Sequence, residues 1–301
     1  MRVDWTGTGM NTADMALLGA IEAGGTKFVL AVGSSSSEIL ARHVIPTLTP
    51  DATLAAAAEW FAAQGKLRAL GIASFGPVEL DRASPQWGHI TNTPKPGWAN
   101  CDLAGYFADR FGVAVGFDTD VNGAALAESR RGAGKGASSL AYVTVGTGIG
   151  GGLVLDNTPV HGAAHPELGH IYVRRPAGDS GFAGICPHHG DCLEGLASGP
   201  AIKARWGVSL SELPADHEAH GMVAYYLGQL CHSLFAMTAA EVAVLGGGVM
   251  KTPGLIERIR ECSAELGAGY LPGTARHRIV APGLGEDSGI TGALMLAENA
   301  G

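Results

Sequence analysis

Three groups of residues in this chain have the types and spacing to do chemistry. Cys186, His189 and Cys192 stand as C-x-x-H-x-x-C, and His170 lies upstream in His165-Pro166-Glu167-Leu168-Gly169-His170. Two thiolates and two imidazoles form a tetrahedral zinc set, and a set with no open position is structural rather than hydrolytic. Choosing His189 over His188 rests on spacing alone. The second group is glycine turns: Gly24-Gly25-Thr26-Lys27, and Gly146-Thr147-Gly148-Ile149-Gly150 with Gly151 and Gly152. Turns without Cβ atoms let several backbone N–H groups approach phosphate oxygens together, so two of them suit one nucleotide tail. Either turn alone reads equally well as a tight hairpin. The third group is Asp118-Thr119-Asp120. Phosphoryl transfer needs a carboxylate to accept the proton of the attacking hydroxyl, and Asp120 is placed for that task. A helix opening at that point keeps it ionised. A plain N-cap is the competing reading, and Asp118 reads as structural.

Familiar nucleotide signatures are absent. Gly146, Gly148 and Gly151 match G-x-G-x-x-G, but the dinucleotide fold requires a helix next and Leu153-Val154-Leu155 reads as a strand. Neither Gly25-Thr26-Lys27 nor Gly134-Lys135 has Walker spacing.

The elements that must position these groups alternate. Apolar runs at 18–21 and 28–32 flank the first glycine turn, and runs at 141–145 and 153–155 flank the second, with 146–152 read as the turn. Two such hairpins about 120 residues apart imply an internally duplicated α/β protein, one hairpin per lobe. Helices are expected at 54–63, 103–111, 121–130, 199–206, 221–240, 252–266 and 288–300, and further strands at 69–74, 113–117 and 241–245. The expected organisation is a leader at 1–16 and an N-terminal lobe at 17–118 completed by a helix at 288–301. A C-terminal lobe with the zinc loop covers 119–287. Ligands in such folds sit at the carboxyl ends of strands, which puts the cleft beside 118–122. Residues 177–196 lack periodicity and need something other than a core to fix them, and metal serves.

Composition narrows the partners. The 301 residues hold 46 glycines, only 16% charged residues and a formal net charge of −8, which excludes disorder and leaves no basic field for nucleic acid. Five cysteines are odd in number and too sparse to staple the chain, which fits a reducing cytoplasm. The uncharged stretches 136–155 and 222–240 are not membrane spans: the first is broken by glycines, and the second carries Gln229, His232, Ser233 and Thr238.

Taken together these residues resemble the ROK family of sugar kinases, in its bacterial fructokinase branch, from about residue 17 to the C-terminus. Glu22-Ala23-Gly24-Gly25-Thr26-Lys27 and 143–152 are similar to its phosphate motifs, Gly246-Gly247-Gly248 to its adenosine motif, Glu167 and His170 to its E-x-G-H sugar motif, and 186–192 to its zinc motif. The resemblance implies a duplicated actin-like, hexokinase-type fold, and many members are dimers. It implies Mg-ATP as phosphoryl donor, structural zinc, and Asp120 as general base. It further implies nucleotide contacts at Gly24, Gly25, Thr26, Lys27, Gly146, Thr147, Gly148, Gly150 and Gly246 to Gly248. Sugar contacts fall at Gly76, Pro77, Asn92, Thr93, Thr119, Asp120, Glu167, His170 and Glu194. Glu22 in place of Asp, Thr119 in place of Asn, and the 91–98 loop favour fructose over glucose or mannose as the acceptor. A DNA-binding regulator of the family would need a helix-turn-helix ahead of the first strand, where about 16 residues are too few. A sugar sensor without activity is the non-enzyme alternative, and an intact Asp120 argues against it.

Overall fold

The computed structural model describes residues 16–179 and 181–301. The expected leader, apart from Ala16, lies outside the described residues. In chain order the strands β1 Leu17–Ala23, β2 Lys27–Ser35 and β3 Glu38–Pro46 are followed by α1 Pro50–Gln64 and β4 Leu67–Ser74. A short ribbon of β5 His89–Ile90 and β6 Cys101–Asp102 leads to α2 Leu103–Phe111, β7 Ala114–Thr119 and α3 Asp120–Arg131. Then come β8 Ser139–Val145, β9 Ile149–Leu155, β10 Thr158–Pro159, α4 Leu193–Ala197, α5 Gly199–Trp206 and α6 Glu218–Thr238. The chain ends with β11 Val242–Gly246, α7 Leu255–Gly267, β12 Arg278–Val280 and α8 Ser288–Ala300.

The strands form two five-stranded sheets, β3-β2-β1-β4-β7 and β10-β9-β8-β11-β12. In each, an antiparallel meander meets a parallel half across its middle strand, β1 or β8. The identical order and sense of pairing show the duplication that the two hairpins implied. One face of the first sheet packs on α1 and α2 around Phe61, Leu103 and Phe107. Its other face packs on α8, through Leu18, Val29 and Ala31 against Ile290, Leu294 and Ala297. α3 shares that second cluster through Leu126 and Ala127, and meets the second sheet through Val121, Ala124 and Ala125. α3 and α8 therefore fill the space between the sheets. They cross backbone to backbone: a Cβ on Gly292 would stand 2.0 Å from Gly123 O.

Two expectations change. The second glycine turn is shorter than 146–152, because the strand resumes at Ile149 and Gly150 to Gly152 pair with Tyr142, Val143 and Thr144. Their lack of side chains serves close approach rather than turning, since a Cβ on Gly152 would lie 2.6 Å from Val121 O at the start of α3. β3 went unread because it is an edge strand with Ile45 as its buried residue and the others exposed or half-exposed, so it lacks the alternation that reports a strand. Glu128 on α3 is buried, and its carboxylate accepts from Ala133 N, Gly283 N, Leu284 N and Ser288 Oγ at 2.7–2.9 Å. These bonds satisfy the buried charge and fix the segment that enters α8.

Candidate active site

β7 is buried from Val115 to Thr119, and α3 begins at the next residue. Thr119, not Asp120, caps the helix, with Oγ1 accepting from Asn122 N at 3.0 Å. Asp118 is locked: its Oδ1 accepts from Thr119 N and Asn122 Nδ2, both at 2.7 Å, and Oδ2 lies 2.9 Å from His161 Nε2. That bond raises the His161 pKa. With both neighbours committed, Asp120 is left facing a cavity of about 610 Å³.

Glu22, Lys27, Arg42 and Asp120 line this cavity together with Gly246 to Gly248, Met250 and Lys251, and with Pro282, Gly285, Glu286, Ser288 and Gly289. Burial pushes the Asp120 carboxyl up to about 7, and the charges of Glu22 and Glu167 push the same way. Burial thus works against the helix N-terminus, and Asp120 ionises near neutral pH instead of in the ordinary carboxylate range. A base that ionises there acts only above its pKa. The profile of kcat/KM against pH should rise through an inflection near 7 and then level; a flat profile from acid to alkaline pH would remove Asp120 from the role.

Glu22 sits at the end of β1 against Gly289, and burial raises its carboxyl pKa too. Its buried Oε2 has no hydrogen-bond partner among the described residues. An orphaned acidic oxygen in the lining of the cavity fits a divalent cation carried by phosphates.

Of the other expected nucleotide residues, only Lys27 lines this cavity, and the rest lie in the two glycine turns and in β9. Gly24, Gly25 and Thr26 form the β1–β2 turn, closed by Gly24 N donating to Lys27 O, and Lys27 reaches the cavity. Gly146, Thr147 and Gly148 turn between β8 and β9, and Gly146 lies beside Gly248. Gly150 is in β9 against Val121. Glu194, read as a sugar ligand, accepts from Ile149 N at 2.9 Å through Oε2 and so braces this turn.

Among the residues expected to contact sugar the structure supplies one to which the sequence reading assigned no role. The His165 side chain is 7% exposed, and its Nε2 accepts from Val78 N at 3.2 Å beside Gly76 and Pro77. That bond leaves Nδ1 to carry the proton, 3.5 Å from Glu167 Oε1. His165 thereby ties the 76–78 segment to Glu167. Asn92 is exposed and Thr93 half-buried in a loop anchored by Trp98, which is fully buried and donates Nε1–H to Leu48 O at 2.8 Å. His170 faces two ways. Its Nε2 is 3.9 Å from Glu167 Oε2, and its Nδ1 is 3.5 Å from Cys192 Sγ and 3.8 Å from Cys186 Sγ. His189 Nδ1 lies 3.7 Å from Cys186 Sγ, and the four donor atoms fall within 4.8 Å of one another. That spread suits one small ion, and two sulfurs with two imidazole nitrogens suit zinc.

Comparison with known proteins bears on what this arrangement serves. The fructokinase of Zymomonas mobilis is 48% identical over 293 residues, covering 94% of this chain and 97% of that protein. The fructokinase of Pediococcus pentosaceus is 42% identical over 286 residues, covering 94% and 98%. The crystal structure of a ROK hexokinase from Thermus thermophilus superposes with a TM-score of 0.76 at 27% identity, over 94% of this chain and 98% of that one. The two-sheet architecture is thus the duplicated actin-like sugar-kinase fold. No helix among the described residues is long and apolar enough to cross a membrane. The ROK family model matches residues 18–300, nearly the full described length, and the chain belongs to the ROK family.

Proposed function

We propose that this protein is a fructokinase, transferring the γ-phosphoryl group of Mg-ATP to the 6-hydroxyl of D-fructose. The observation that carries the reading is Asp120, which follows a locked Asp118 and a capping Thr119 and lines the same cavity as Gly246 to Gly248. In this reading the Asp120 carboxylate accepts the proton of the attacking hydroxyl as that oxygen bonds to the γ-phosphorus. The bond to the bridging oxygen breaks, and ADP leaves with its electron pair. Glu22 would be the carboxylate to hold Mg²⁺ carried by the nucleotide, which would supply neutralisation of the phosphate charge. Lys27 and the glycine turns hold the phosphates, while Glu167, His165 and the 76–78 segment orient the sugar. His170, Cys186, His189 and Cys192 would hold a zinc ion, which would fix the loop that follows Glu167.

The lobes are taken as 17–118 with 288–301, and 119–287, with the cleft between them. All five cysteines are free, in keeping with a cytoplasmic protein. The homodimer belongs to the same proposal, and Tyr172 and Ile185, exposed near the zinc loop, offer it apolar surface.

The names of the relatives favour fructose. A ketose and an aldose present different hydroxyl patterns to Glu167 and His170, so the disfavoured ring leaves a polar group unpaired once the bound sugar covers it. Such a mismatch gives roughly tenfold to a hundredfold discrimination. With both sugars at equal concentration and the products resolved, fructose 6-phosphate should predominate. A majority of glucose 6-phosphate would keep the kinase and overturn the fructokinase.

A further inference from the structure

The cavity holds a cation that the mechanism above leaves without a task. Arg42 lies on the edge strand β3, in register with Ala31 of β2. Ala31 and Val29 belong to the face that packs on α8. Residues directly opposite across a sheet share a face, so the register turns Arg42 toward α8 as well. There it lines the cavity with Glu22, Lys27 and Asp120. Its Nη1 stands 2.5 Å from Asp287 Oδ1, in the turn just before α8.

This ion pair is open to solvent, with the Arg42 side chain 37% and the Asp287 side chain 51% exposed. Pairs that open add little to stability, so holding the fold is a poor account of it. One carboxylate oxygen engages one arm of the guanidinium. A planar fork with five N–H donors matches the oxygens of a phosphate better than a single contact does.

We propose that Arg42 binds the polyphosphate of the nucleotide and that Asp287 holds its place while the cavity is free of nucleotide. The inference rests on the phosphotransferase reading of the same cavity and adds a residue to it. Asp287 keeps the guanidinium extended over the cavity, and the incoming phosphates exchange for the carboxylate. The two partners then act against one another: removing Arg42 weakens nucleotide binding, whereas removing the Asp287 charge strengthens it. A merely structural pair would lose binding, or lose nothing, on either change.

Calorimetric titration of the full chain with ATP, ADP and adenosine, without sugar, tests this. Arg42→Ala should weaken ATP and ADP by roughly tenfold to a hundredfold and leave adenosine unchanged, with Arg42→Lys intermediate. Asp287→Asn should tighten ATP several-fold, and that gain should vanish in the double variant, since it is exerted through Arg42. Thermal melting of each nucleotide-free variant reports on folding. Unchanged ATP affinity in Arg42→Ala, or weaker ATP binding in both single variants, overturns the proposal. So does a gain from Asp287→Asn that survives without Arg42, because simple repulsion then accounts for it. A wild-type protein that binds neither ATP nor adenosine would instead bring down the nucleotide reading of the cavity, and the assignment of Arg42 with it.

Discussion

Asp120→Asn is expected to lower kcat by about 100- to 10,000-fold while leaving fructose binding in place. The amide keeps the shape and can still accept from Val121 N as the carboxylate does, but it cannot take a proton. Retention of more than about a tenth of wild-type kcat would exclude the role. Stability separates this outcome from unfolding. The folded carboxyl ionises near 7 against an ordinary value of 3.8. Its contribution to stability is therefore complete below 3.8 and is lost as pH rises through 7. Asparagine carries no such charge, so above that pH the nucleotide-free variant should melt no lower than the wild type. A variant that is both inactive and less stable there would point to a structural role.

Removing the metal is the second large change. Elemental analysis should find about one zinc per chain, held by His170, Cys186, His189 and Cys192. Cys192→Ala or chelation should abolish that content, lower the melting temperature and weaken fructose binding about tenfold or more. The coupling follows from His170, whose Nδ1 faces the sulfurs while Nε2 faces Glu167 Oε2. A metal on one ring nitrogen fixes the orientation of the other, and the carboxylate beyond it is positioned in turn. Glu167→Gln should accordingly weaken zinc as well as sugar. A metal-free protein with unchanged melting and unchanged fructose affinity would dismiss the site as four neighbouring side chains.

What the sequence conveyed followed local physics. The helices α2 and α5 begin and end where they were read because their termini are written in side chains: Asp102 and Ser198 cap by accepting from Gly105 N and Ala201 N, and Gly112 and Gly207 close in the left-handed region. The clustering of His170, Cys186, His189 and Cys192 was legible because three of the four lie within one short turn. Asp120 was legible as the residue after a buried strand. Its ionisation was not, because burial depends on α8 and the second sheet, which are remote in sequence. His165 lay inside a quoted motif, yet its partner Val78 is 87 residues away and no spacing reports such a bond. Arg42 and Glu128 act through the segment before α8, and one arginine on an irregular edge strand or one glutamate in a helix looks like a solvated charge. Pairings of that kind arise only once the chain has closed on itself.

The crossing of α3 and α8 also bears on how this protein can be improved. Exchanging helix glycines for alanine is a standard way to raise thermostability, since alanine restricts the unfolded chain and favours the helix. At Gly292 a methyl group would collide with the Gly123 carbonyl, and at Gly123 with the Ala73 side chain. Because both helices hold the sheets together, pushing them apart would also displace Asp120 at the first residue of α3. Thermostabilising substitutions therefore belong on the outer faces, such as α1 and α7, because a side chain at either crossing position would lower the melting temperature and displace Asp120 together.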